Sequence, residues 1–346
     1  MTRATRHILL AAGLLLAFQL GTMVFEQLAF GWPFAREEVP LHDGWHWLRR
    51  TLDALLSGLL VYALARPGLQ REPLDRAMLA SATLVVALSV AATLLLASSA
   101  TAYAGLGAED GIIEWLSALL LFAGAGFMAA RVLALWRAPE SRPYRLLHLV
   151  GAAGFAALFF LMAGEEVSWF QRQIGFATPE TVAAHNWQGE FNLHNFHTDI
   201  TELLLYTGTG LFLMLLPLVR ESEAARWPLL RPFTAFFPDR SVAAISAPML
   251  IFTYSHWTLL PVQAAFWIGL FACLAFARTS GSRGERRLWR ALALWVVLGQ
   301  LLHLFLLGPH MLAIYDSSEY RELFIAIGLA AYAWRQWRGG ERLTQT

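Results

Sequence analysis

The feature that most constrains this chain is a series of long stretches with no aspartate, glutamate or arginine. They cover residues 8–25, 77–108, 146–164, 203–219, 241–277 and 291–315. A helix that crosses a bilayer needs roughly 20 mainly apolar residues. Shorter apolar stretches near residues 52–66, 112–130 and 320–336 extend the series. The pattern predicts an all-α, polytopic transmembrane helical bundle of about ten spans. Their expected limits are 8–30, 50–66, 78–100, 111–131, 146–165, 200–219, 241–257, 260–277, 291–309 and 319–336. The run 241–277 admits two readings: two spans with a tight turn near Leu259 and Pro261, or one helix plus a re-entrant segment.

Composition agrees with this reading. Apolar residues make up 57% and charged residues 15% of the 346 residues. Typical soluble domains hold about 45–50% and about 25%. A soluble fold of this length could not cover itself with so little charge. The net charge of +1 offers no field for a nucleic-acid partner. Cys273 is the only cysteine, which excludes an intrachain disulfide and a cysteine-based metal site. Arg3 and Arg6 precede a first apolar run longer than a signal peptide's core, so it is expected to stay as an anchor. The whole chain, 1–346, reads as one integral membrane domain.

The basic side chains give the direction. There is no lysine. With the N-terminus inside and ten spans, 21 of the 26 arginines fall on inner segments. Arg36, Arg49, Arg50, Arg172 and Arg321 are left outside. This positive-inside asymmetry predicts a multi-pass membrane chain with two cytoplasmic termini. Acidic residues run the other way, with 17 of 25 outside or at outer helix ends. Carboxylates do not set topology, so their gathering needs another cause.

Three helices entering from outside open alike. One carries Glu109, Asp110 and Glu114, the next Asp199 and Glu202, and the last Glu319 and Glu322. Within each, carboxylates three to five residues apart share a face of the first turns. Compensation of the helix dipole, worth roughly 0.3–1 kcal/mol, accounts for the outermost members. It accounts less well for the inner ones. Only 12 residues separate Glu322 from Arg335, roughly 18 Å of helix against a core roughly 30 Å thick. Glu114 and Arg131 bracket 16 residues, again too few. Such carboxylates normally face a bundle interior or a wet cavity.

The densest polar stretch is an outer-face loop at 165–199. It begins with Glu165, Glu166, Ser168, Trp169, Gln171 and Arg172. If the helix continues, Glu165, Ser168 and Arg172 lie on one stripe. Adjacent glutamates point about 100° apart on a helix, leaving one to serve a metal or proton while the other pairs elsewhere. Glu190, His194 and His197 follow at i, i+4 and i+7. On a helix they form one face with metal-ligand chemistry suited to zinc or non-haem iron. Gly189 weakens that helix, and a polar loop of capping Asn, Gln and His is the plainer reading. His256, His303 and His310 lie on the same side and could complete a site with Glu319 and Glu322.

The pattern G-E-E-x-S-W-x-Q-R at 164–172, followed by N-x-Q-x-E-x-N-L-H-N at 186–195, resembles a signature of bacterial multi-pass membrane proteins. The resemblance covers about thirty residues. It implies a membrane fold, marks the outer loop and supplies no activity. Intramembrane proteases of the CAAX-processing type use other spacings: here the arginine is two positions late and Phe191 stands three before His194. That activity is therefore not carried over. No P-loop, nucleophile elbow or H-E-x-x-H occurs.

The expectation is an integral-membrane enzyme with an outward-facing carboxylate and histidine site, acting on a lipid or lipid-linked substrate. Glu166, Glu190, His194 and His197 are the candidate ligands of a divalent metal. Glu165, Glu114 and Glu322 are candidates for acid–base work, and Arg172 for holding a phosphate or developing negative charge. One alternative is a proton- or cation-coupled transporter using the same carboxylates, with Gly208, Gly210, Pro248 and Pro261 permitting broken helices. The other is a non-catalytic membrane subunit.

Overall fold

The computed structural model describes residues 2–70, 74, 76–108, 110–139, 143–183, 186, 189, 191–192 and 196–341. Among these the chain is all-helical. The elements are α1 (Arg3–Phe30), α2 (Gly44–Ala65), α3 (Arg76–Ser98), α4 (Ala100–Leu106), α5 (Ile112–Trp136) and α6 (Arg145–Glu166). Two single turns follow, α7 (Gln171–Ile174) and α8 (Glu180–Ala183). Then come α9 (Thr198–Gly210), α10 (Leu216–Glu221), α11 (Arg240–Ser246), α12 (Leu260–Thr279), α13 (Arg283–Leu301) and α14 (Asp316–Glu341).

Among the described residues, seven stretches are long and apolar enough to cross a membrane: α1, α3, α5, α6, Thr198–Glu221, α12 and Arg283–His310. Helices α2 and α14 are as long, at 22 and 26 residues. They differ in carrying charges within their length: Arg49, Arg50 and Asp53 on α2, and Glu319, Arg321, Glu322 and Arg335 on α14.

Local sequence explains the interruptions. Ser99 stops α3 and caps α4, its Oγ accepting the Ala102 N–H at 3.1 Å, so the charge-free run 77–108 is bent rather than continuous. Wider π-type turns join α9 to α10 at Leu211–Leu215 and continue α13 at Leu302–Leu307. Pro217 and Pro309 lie at or just past these turns, and a proline removes an N–H and crowds the preceding turn.

The expected seventh span, 241–257, is not a full helix. Helix α11 continues as a 3-10 turn only to Leu250, and residues 251–259 are non-helical until α12 begins. The run thus holds a short helix, a 3-10 turn and an irregular stretch ahead of α12, rather than two full helices joined by a tight turn. Every residue from 236 to 260 is buried. Irregular backbone at membrane depth is tolerated only where protein covers it and its polar groups are satisfied. Here the Thr253 hydroxyl and the Gln300 amide exchange hydrogen bonds. The Thr258 carbonyl accepts from Arg49 and the Trp257 carbonyl from Gln263. The Ser255 carbonyl accepts from the Glu38 N–H at 3.0 Å. Glycines let the neighbours close in. A Cβ on Gly269 of α12 would stand 2.5 Å from Leu250, and one on Gly299 of α13 would stand 2.8 Å from Ile251.

One end of the bundle gathers arginines. Arg240 opens α11 against Glu221, the last residue of α10, and each side chain is 1% exposed. Asp239 caps α11 through the Ser241 and Val242 N–H groups and also holds Arg335 of α14. The Gln70 N–H, just past α2, donates to the Glu221 carbonyl at 2.7 Å. Arg131 donates to the Gln336 carbonyl. Arg3 and His7 share a groove with Arg66 between α1 and α2. The start of α1, the end of α2 and the end of α14 thus meet at this end. The starts of α9 and α14 and the loop 31–43 meet at the other.

Candidate functional site

The site is assembled from four separate parts of the chain. Helix α9 places Glu202 one turn inside its start and Tyr206 one turn further. Tyr206 is fully buried, and its hydroxyl donates to Glu322 Oε1 at 2.6 Å, with Glu202 Oε1 at 3.2 Å. Glu322 comes from the second turn of α14. Asp316 fixes the start of that helix by accepting the Leu312 and Ala313 N–H groups at 2.9 and 3.0 Å.

The irregular segment 251–259 supplies His256, which is 1% exposed. Its Nδ1 lies 2.8 Å from Ser255 Oγ. That contact leaves Nε2 facing Glu202 Oε2 at 3.0 Å and Glu37 Oε1 at 3.7 Å. Glu37 arrives on the loop after α1, held by the adjoining Glu38 N–H to the Ser255 carbonyl. Glu37 Oε1 is buried and has no hydrogen-bond donor among the described residues. Burial, and secondarily the charge of Glu202, raise the Glu37 carboxyl above its ordinary 4.5.

Glu37, Glu202 and His256 each offer one ligand atom, and the three atoms lie within 4.8 Å of one another. Two carboxylates and an imidazole suit zinc, manganese or iron. A second group on an imidazole's other nitrogen is the usual way to orient a ligating histidine, and Ser255 occupies that position.

A second set of carboxylates adjoins the first through Glu322. Glu166, at the last residue of α6, is within electrostatic reach of Glu322, Glu319 and Glu114. The close packing of α5 against α6 and of α14 against α5 brings these helix ends together. Of the residues singled out in the sequence, Glu114 and Glu322 are thus within electrostatic reach of Glu166.

The others stand differently. Glu165 accepts the Trp169 indole N–H at 2.8 Å. Arg172 is 44% exposed and paired with Asp110. No common stripe links Glu165 to Arg172, because α6 ends at Glu166 and Ser168, Trp169 and Phe170 all take positive φ. His197 is exposed, immediately before α9. Glu190 and His194 lie outside the described residues. Of the expected face through 190, 194 and 197, only His197 is described, and it is not helical. Phe191 and Asn192 are not helical, and Gly189 has φ of 71°.

Residues of the 164–172 and 186–195 stretches instead bond to one another. Asn192 donates to Ser168 Oγ at 3.0 Å, Asn186 to Asn192 Oδ1 at 2.7 Å, and the Phe191 N–H to Gln171 Oε1 at 2.7 Å. They clamp the loop onto the end of α6. Three successive non-glycine residues in the left-handed region each cost of order 1–3 kcal/mol, and such strain persists only where surroundings over-determine it. The clamp and the Trp169 ring packed on Gly164 supply those surroundings.

Glu37, Tyr206 and Arg321 were not singled out by sequence for this site. The one signal for Glu37 is an acidic pair, Glu37 and Glu38, beside Arg36 in the first outer loop. Comparison with protein-family models, curated proteins and solved structures finds no match to this chain.

Proposed function

We propose that this chain is an integral-membrane, metal-dependent enzyme acting on a lipid or lipid-linked substrate. The observation that carries the reading is the convergence of Glu37, Glu202 and His256 within 4.8 Å, beside the buried Tyr206 and Glu322. A divalent ion there would polarise a substrate oxygen or lower the pKa of bound water. Glu322 and Glu166 are positioned for proton transfer, and Tyr206 orients Glu322. The arginine asymmetry supports ten crossings with both termini cytoplasmic, the seventh made by α11 and the irregular segment, and the resemblance at 164–172 and 186–195 points to a bacterial inner membrane. The site then faces outward.

The test is metal analysis of detergent-purified protein after incubation with zinc, manganese or iron salts. Near one equivalent of ion in the wild type, lost in Glu202→Gln and His256→Ala, is the expected result. Wild-type protein that takes up no ion rejects the metal site. A transporter reading is favoured by one observation, the buried non-helical stretch 251–259 at a helix break. It requires ion flux in proteoliposomes, which the enzyme reading does not.

A further inference from the structure

We infer that Arg321 is the anion-recognising residue of this site and that the molecule bound there carries a phosphate group. The inference rests on the metal reading above.

Arg321 is 2% exposed. Buried arginines are ordinarily paired, most often through the two-pronged edge of the guanidinium. Arg321 is not. Among the described residues its Nε and Nη1 have no hydrogen-bond partner. The Tyr206 ring covers one face of the guanidinium, 4.1 Å from its carbon to the ring centroid. Glu202 and Glu322 are within electrostatic reach, and each has one oxygen engaged elsewhere: Glu202 Oε2 lies 3.0 Å from His256 Nε2, and Glu322 Oε1 accepts from the Tyr206 hydroxyl. Buried donors left unmade are costly, and their persistence points to a ligand that engages one of them together with Nη2 on one edge.

The ligand must be an oxyanion, since guanidinium only donates. A carboxylate has two oxygens, which one arginine edge already uses. A phosphate has oxygens for the guanidinium edge and another for a metal on Glu37, Glu202 and His256. The surroundings are acidic, so an anion enters only when the ion and Arg321 act together. Phosphate binding should therefore require the metal. The side chains of Glu37 and Glu202 are 22% and 13% exposed, which leaves the site open at the rim they form.

The experiment uses full-length protein in nanodiscs, metal-loaded or metal-free. Metal content and phosphate binding are measured separately, with inorganic phosphate and with phosphatidate in the disc as probes. Metal-loaded wild type should bind at least one probe, and metal-free protein should bind neither. Binding of phosphatidate alone identifies a lipid headgroup, and binding of inorganic phosphate a free anion. Arg321→Gln should keep its metal and bind the probe at least tenfold more weakly. Arg321→Lys, which keeps the charge without the planar edge, should fall between, and it decides the matter if the glutamine variant does not fold. Unchanged phosphate affinity in the variants, loss of metal along with phosphate, or no binding by metal-loaded wild type overturns the inference. Wild-type protein that takes up no metal overturns this inference and the metal site together.

Discussion

His256 Nε2 lies 3.0 Å from Glu202 Oε2 although 54 residues separate them. The contact joins a buried irregular segment to the second turn of a helix that enters the bundle. Glu37, from a third part of the chain, closes the group. Metal content should therefore follow these three residues rather than the histidines of the 165–199 loop. His256→Ala should lose the ion and His197→Ala should keep it, because His197 is exposed and outside the cluster. Elemental analysis of both variants decides the point, and the opposite pattern would move the metal site to the loop.

The raised Glu37 carboxyl has a consequence for stability with pH. Its ordinary value is 4.5, and burial is the main cause of the rise. Between 4.5 and the raised value the folded protein keeps a proton that the unfolded chain releases. Stability of the metal-free protein therefore falls as pH rises through that window. Glu37→Gln removes the titration, so thermal unfolding of metal-free variant should decline less with rising pH than wild type. A bound ion needs the ionised carboxylate, so metal affinity should weaken as pH falls through the same window. Equal slopes for variant and wild type would reject the assignment.

At the arginine-rich end, Glu221 and Arg240 form a pair with each side chain 1% exposed. Removing one partner leaves a buried charge, at a cost of about 3–5 kcal/mol. Arg240→Met should therefore be strongly destabilising, and adding Glu221→Leu should recover much of the loss. Unfolding in detergent, measured for both singles and the double variant, gives the coupling. A double variant as unstable as the sum of the singles contradicts it.

The glycines around the central segment make a further prediction. Gly299→Ala would bring a Cβ to 2.8 Å from Ile251, and overpacking of this kind costs about 1–3 kcal/mol. Gly126→Ala meets nothing within 4 Å and should be neutral or slightly stabilising. The melting temperatures of the two variants should separate in that order.

Much of the fold was legible because apolar length is a direct readout of bilayer thickness. The limits of α1, α5, α6, α12 and α14 fall within five residues of the spans expected from apolar length. The break after Leu250 was not legible, because residues 241–277 are uncharged throughout and an irregular buried segment looks as apolar as a helix. The Ser99 kink hides in a charge-free run for the same reason. At the site, the acidic helix openings pointed to Glu114 and Glu322, and His256 was noted as a companion for them. Its actual partners, Glu202 and Glu37, depend on which way a non-helical turn presents the ring. No periodicity carries that information. Arg321 looked like one more arginine beside two glutamates, and only its burial against Tyr206 sets it apart from Arg172.

The segment 236–260 also bears on how the chain is made. Its buried walls include α12, α13 and α14, all synthesised later. A helical piece ending at Leu250, followed by nine irregular residues, cannot satisfy its own backbone in lipid. When it leaves the ribosome, it therefore has no finished place to go. It must wait in the insertion machinery or at the membrane surface until the last helix arrives. Ribosome-bound chains stopped after Thr279 should leave this segment open to protease or to cysteine labelling, and full-length chains should close it. Assembly of the interior is on this account a late event, governed by the final helix rather than by the order of the spans.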